Sequence, residues 1–194
     1  VPGYERSFMF LNLKNDETPA TMIVFDRVLS KDKSYEKKWL LHGVAEPEIN
    51  GTRTVFKNTN GDNNGKLTVD TLLPKADNLT ITAVGGPDAE FLVEGVNWWA
   101  QTLEDGRNEG GGYRIEVSPK EAANEDYFLN VLQVADADTT AEPLASELIE
   151  SETHTGVKIA DRVVMFGKLR DRVSKNVTFT VSGDGWYKFA VADL

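Results

Sequence analysis

The stretch Tyr127–Val134, "YFLNVLQV", decides the fold. A strand sends successive side chains to opposite faces, which puts Phe128 and Leu132 on one side and Leu129 and Val131 on the other. Apolar residues on both faces need cover on both faces, so this strand belongs to two packed sheets rather than to one open sheet.

Working outward, runs of the same kind recur along the chain: "TMIVFDRVL" from Thr21, "KKWLLHGV" from Lys37, "RTVFK" from Arg53, "KLTVDTLL" from Lys66, "LTITAV" from Leu79 and "EFLVEGVNWW" from Glu90. They continue as "YRIEVS" from Tyr113, "GVKIA" from Gly156, "RVVMF" from Arg162, "VTFTVS" from Val177 and "WYKFAVA" from Trp186. Between them lie "NGDNNG", "GGPD", "EDGRNEGGG" and "SGDG", whose Gly and Asn residues supply the backbone freedom of tight turns. Of these, "SGDGW", Ser182–Trp186, reads most clearly as a hairpin. The expected fold is all-β, a large antiparallel β-sandwich of about a dozen strands. One short connecting helix is predicted in "SPKEAANEDY", with Ser118 as cap and Pro119 in the first turn.

The 194 residues suit one domain spanning 1–194, and 40% hydrophobic with 27% charged residues is an ordinary globular composition. No apolar run is long enough to cross a membrane as a helix, and "VPGYERSFMF" has neither signal-peptide order nor an initiator Met, as expected of a fragment of a longer chain. Cysteine is absent, which excludes disulfides, thiolate metal sites and a cysteine nucleophile.

The net charge of −10 argues against a nucleic-acid partner, yet it is concentrated. Residues Glu121–Glu152 carry nine acids and no Lys or Arg, so the rest of the chain sums to −1. Lys31–Lys57 and Lys158–Lys175 are locally basic, which leaves room for a face that accepts anions.

No motif marks a hydrolase, because neither His42 nor His154 lies in a nucleophile context. The Gly-rich "EDGRNEGGGYRIEV" leads into a strand rather than a helix and reads as a loop, though Arg107 within it can meet a ligand. "NTNGDNNG" has too few carboxylates for an EF-hand, so a hairpin turn is favoured over a structural calcium site, and no other cofactor is implied. His154, in "ESETHTG", reads as a turn residue.

Four features point to ligand contact. Trp98 and Trp99 fall on opposite faces of a strand, leaving one indole to lean outward as a platform for a sugar ring. Arg114 shares a face with Glu116, which fits a cross-strand salt bridge or recognition of carboxylate or sulfate. In "KKWLLHGV", Lys38, Leu40 and His42 share one face while Lys37, Trp39 and Leu41 share the other. Arg53 and Lys57 follow in the same basic stretch.

The strings "VFDRVLS", "KKWLLHGVAEPEI", "GKLTVDTLLP", "GYRIEVSP" and "DYFLNVLQVADAD", taken in order between Phe8 and Phe166, resemble the C-terminal β-sandwich region of heparinase II/III-like polysaccharide lyases. Such enzymes join an α/α toroid to antiparallel sheets and cleave uronic-acid polysaccharides by β-elimination. The resemblance implies a secreted or periplasmic parent chain and an upstream catalytic domain, with a histidine from the sheets able to approach the active cleft. No toroid-sized helical segment is present in this sequence, and one His with scattered lysines cannot neutralise a uronate, abstract its C5 proton and protonate the leaving oxygen.

Two readings follow. In the first, the domain is a non-catalytic carbohydrate-binding module for an acidic polysaccharide, such as the glycosaminoglycan chondroitin sulfate. Its contacts are Lys38, His42, Arg53, Lys57, Arg107, Arg114 and Trp98 or Trp99. In the second, the sandwich is structural and lends His42 to a composite site completed by the toroid.

Overall fold

A computed structural model describes residues 3–98, 112–168, 180–183 and 187–192. Its largest sheet has six antiparallel strands in the order β1 (Gly3–Asn12), β2 (Ala20–Leu29), β11 (Glu125–Asp136), β6 (Gly65–Leu73), β5 (Arg53–Asn58) and β4 (Glu48–Asn50). A three-stranded sheet is ordered β3 (Trp39–Gly43), β10 (Tyr113–Pro119), β7 (Leu79–Gly85). A four-stranded sheet runs β12 (Ser146–Glu150), β13 (His154–Ile159), β14 (Arg162–Gly167), β15 (Lys188–Ala192), and β8 (Leu92–Val93) with β9 (Val96–Asn97) makes a small hairpin.

The strand β11 holds the middle, paired to β2 on one edge and β6 on the other. Its odd-numbered face sends Leu129 and Val131, with Ile23 and Phe25 from β2, against Val157, Ile159, Val164 and Phe166 of the four-stranded sheet. Phe25 stacks between Tyr127 and Phe166, with ring centroids 5.9 and 5.2 Å away. The even-numbered face sends Phe128, with Val69 and Phe56, against Trp39, Leu79, Ile115 and Val117 of the three-stranded sheet. The all-β sandwich is therefore built as three layers, the six-stranded sheet being shared by two cores. Parity along "YFLNVLQV" announces cover on both faces but carries no information about whether one sheet or two supplies it.

Within this core Asn130 is fully buried, and its side-chain carbonyl accepts the Thr71 hydroxyl at 2.7 Å beside a register shift in the β6–β11 ladder. The chain before β3 is fastened by Lys37, whose Nζ lies 2.9 Å from Asp126 Oδ2 and donates to the Ala123 carbonyl at 2.5 Å. Both members of that ion pair are buried.

Several expectations are corrected. Residues 118–127 form no helix: β10 continues through Pro119, and the short link to β11 is held by Asn78, whose Oδ1 accepts the backbone N–H groups of Lys120 and Glu121. "EFLVEGVNWW" is not one strand but the β8–β9 hairpin, turned by Glu94 and Gly95, both at positive φ. The β14–β15 pair is parallel, so the sheets are not wholly antiparallel. In the "SGDGW" turn, residues 184–186 lie outside the described residues, as do the first residues of "VTFTVS".

Gly43 closes β3 because nothing larger fits there. A Cβ would sit 2.5 Å from Phe56 Cε1, and that ring is wedged in the core. Gly43→Ala is expected to lower stability by about 1–3 kcal/mol through overpacking, measured by urea denaturation. An unchanged midpoint would show that the ring has room to move.

Candidate functional site

The three-stranded sheet buries one face and exposes the other. Trp39 and Leu41 on β3 and Ile115 and Val117 on β10 point inward, which turns Leu40, His42, Arg114 and Glu116 outward. Register places Arg114 beside His42 and Glu116 beside Leu40, with Val84 and Thr82 of β7 on the far side.

Glu116 is the hub of this face. It accepts Arg114 Nε at 2.8 Å and Nη2 at 2.6 Å, and Lys38 Nζ lies 2.9 Å from its other oxygen. Burial works against the charged carboxylate, but the hydrogen bonds from Lys38 and Arg114 win and hold its pKa below the usual range. The same bond raises the Lys38 pKa above the ordinary lysine value. Arg114 is buried, and the ion pair it makes is with a neighbour on its own strand; Lys38 supplies the link to the next strand.

Arg114 also donates to the Leu92 carbonyl at 2.6 Å, which pins the β8–β9 hairpin to this face. Trp98 follows directly, its backbone N–H donating to the Phe91 carbonyl and the residue 64% exposed. Trp98 lies beyond β9 rather than in a strand, so the alternation argument does not apply to the tryptophan pair; Trp99 and Arg107 lie outside the described residues. His42 is exposed and makes no hydrogen bond or ion pair with the described residues.

Two hollows flank the face. One, of about 210 Å³, opens at the start of β3 and the end of β10, lined by Lys33, Tyr35, Lys38 and Lys120 and also by Glu36, Glu121 and Asp126. Lys33 and Lys120 carry no ion pair among the described residues, and Tyr35 is exposed. The other, of about 280 Å³, lies past the end of β3, with His42 at its rim and Phe56, Leu67 and Val134 among its lining.

The remaining candidates sit elsewhere. Arg53 forks onto Asp70 at 2.6 and 3.1 Å, and Lys57 pairs with Glu48 at 3.1 Å. Strand alternation places both on the side of β5 opposite Phe56, away from the outer face of β3 and β10. Lys38, His42 and Arg114 are thus brought together with Trp98 nearby; Lys57 meets His42 only in the lining of the hollow past the end of β3, and Arg53 is not brought to this face. Lys33, Tyr35 and Lys120 were missed because their meeting depends on two loops far apart in sequence, and only the density of lysines near Lys31 hinted at it. His154 is not a turn residue: it opens β13, is buried, and its Nδ1 lies 2.9 Å from the Thr153 hydroxyl. Among the described residues no group of three His, Asp or Glu side chains is placed to hold a metal ion.

No curated protein matches the chain. The family model of the heparinase II C-terminal domain matches residues 148–194. That segment contains most of β12 and all of β13, β14 and β15, the layer covering the odd-numbered face of β11, and it meets the earlier strands through Val157, Ile159, Val164 and Phe166. It does not include the sheet that carries His42. The C-terminal part of this chain is therefore similar to the heparinase II C-terminal domain, in agreement with the resemblance carried by the strands that precede it.

Proposed function

We propose that this polysaccharide-lyase-related β-sandwich binds an acidic polysaccharide along the outer face of the three-stranded sheet, without catalysing its cleavage. The observation that supports this most is the exposed Trp98 indole beside a face bearing His42, Lys38 and Arg114. An indole stacks on the C–H face of a sugar ring while the hydroxyls stay in water, and nearby cations answer a carboxylate or sulfate. Lys38 and Arg114 are already engaged by Glu116, so they offer a ligand only their remaining N–H donors. Lys33 and Lys120, which share the hollow next to Lys38 with Glu36, Glu121 and Asp126, are the cations there with no ion pair among the described residues. A glycosaminoglycan such as chondroitin sulfate offers the carboxylates and sulfates that these cations would meet.

Affinity electrophoresis against chondroitin sulfate, hyaluronan, heparin and alginate tests the proposal. Retardation is expected at low ionic strength and should fade with added salt, because exposed charge contacts are screened. Trp98→Ala is expected to weaken binding about tenfold, the equivalent of about 1.4 kcal/mol. No retardation by any of the four polysaccharides would refute it.

A second reading rests on His42, which stands exposed on a rigid strand with no partner among the described residues. Such a histidine can serve a composite elimination site completed by a catalytic domain. In a full-length lyase His42→Ala would then abolish turnover, whereas the binding reading predicts that turnover of short substrates survives.

A further inference from the structure

The strand β1 is an open edge of the six-stranded sheet, and its outer side makes no backbone hydrogen bond among the described residues. It pairs with β2 over its full length, Gly3–Asn12, without a register shift. Natural edge strands are shortened, bulged or guarded by lysine or proline to prevent pairing with another chain. β1 is long and unbulged and carries neither lysine nor proline, and its two charges, Glu5 and Arg6, are tied to Arg27 and Asp26 of β2. Its outward row is instead Tyr4, Arg6, Phe8 and Phe10, with the three aromatics 58%, 69% and 62% exposed and Met22 of β2 beside Phe10.

We infer that a second copy of this chain occupies the edge, its β1 pairing antiparallel to the first about a two-fold axis through Ser7. That register sets Tyr4 against Phe10 and Arg6 against Phe8, so each exposed aromatic meets an aromatic or a guanidinium. Arg6 already lies over the Tyr4 ring at 5.7 Å and is fixed in place by its fork onto Asp26 at 2.7 and 2.6 Å. A register one pair earlier would oppose Arg6 to Arg6, and one pair later would spend Tyr4 on Asn12. The row is thus self-complementary about Ser7, as a two-fold interface requires. The three aromatics expose roughly 400 Å² per copy, about half of what a standard stable interface buries on each side. The dimer is accordingly concentration-dependent. It rests on other residues than the glycan-binding proposal, since β1 belongs to the six-stranded sheet and β3 and β10 to the three-stranded one.

The chain has no cysteine, which makes a single introduced thiol decisive. In the inferred register the two Ser7 Cα atoms are about 4.5–5.5 Å apart, within the about 4.4–6.8 Å that a disulfide spans. Ser7→Cys is expected to form a covalent dimer under mild oxidation much faster than Asp62→Cys, which places a thiol on the distant β5–β6 turn. Sedimentation should show dimer at about 100 µM wild-type chain and monomer at about 1 µM, with Phe8→Lys monomeric throughout at an unchanged melting temperature. A wild-type chain monomeric at the higher concentration would overturn the inference. So would a dimer indifferent to Phe8→Lys, or Ser7→Cys crosslinking no faster than Asp62→Cys.

Discussion

Gly156→Ala is expected to lose at least about 3 kcal/mol of stability, the upper range for overpacking. Gly156 lies within β13, between Ile149 of β12 and Met165 of β14. An added Cβ would overlap the Val164 carbonyl oxygen and approach Met165 Cα to 2.8 Å and Sδ to 2.7 Å. The sulfur can swing aside, but the backbone atoms belong to the β13–β14 ladder and cannot move without breaking it. Val157 and Val164 anchor that ladder in the core shared with β2 and β11, so its rupture spreads inward. Urea denaturation measures the loss, and the double variant Gly156→Ala, Met165→Ala separates the causes. Because the obstacle is backbone, trimming Met165 should recover little; full recovery would place the strain in the side chain instead.

Lys37→Met is expected to cost about 3–5 kcal/mol at neutral pH, the usual result of stranding one member of a buried ion pair. Burial pushes the Asp126 carboxyl above the usual carboxylate range, and the Lys37 ammonium opposes that shift. Removing the ammonium leaves burial unopposed and raises the carboxyl further. A carboxyl whose folded pKa exceeds its unfolded value contributes stability below the unfolded pKa and loses it as pH rises through the folded one. The Lys37→Met deficit should therefore shrink on acidification into the range where Asp126 is protonated, and Asp126→Asn added to Lys37→Met should restore part of the loss at neutral pH. A deficit that stays constant with pH would mean that Lys37 acts through its contacts with Ala123, Tyr35 and Ser30 alone.

Much of the architecture is legible before any coordinates, because parity along a strand is a strict rule. Leu129 and Val131 against Phe128 and Leu132 foretell two covered faces, and Trp39 and Leu41 against Lys38, Leu40 and His42 foretell the outer face of β3. What parity cannot carry is which distant strand supplies the cover, and so the three-layer arrangement is visible only in the pairings. The β8–β9 hairpin escapes notice because Glu94, a residue without glycine's freedom, takes a positive φ at its turn. The helix expected after Ser118 fails because a capping pattern is a local signal, and the Asn78 side chain ties that backbone to another loop.

For the site, residue type was a good guide to chemistry and a poor one to availability. Arg53, Lys57, Lys38 and Arg114 all have acidic partners, and three of those acids, Glu48, Asp70 and Glu116, lie on strands paired with or identical to the strand of the cation. Such pairs are set by register, which composition does not reveal. His42 and Trp98 keep their exposure because β3 and the β8–β9 hairpin turn them away from both cores.

The central claim is that the outer face of β3 and β10 holds an acidic polysaccharide. Calorimetric titration of chondroitin sulfate at low ionic strength into the wild-type chain and into the double variant His42→Ala, Trp98→Ala tests it most directly. Saturable binding to the wild type and its loss in a variant with an unchanged melting temperature is the expected result; equal heats from the two chains would contradict the account.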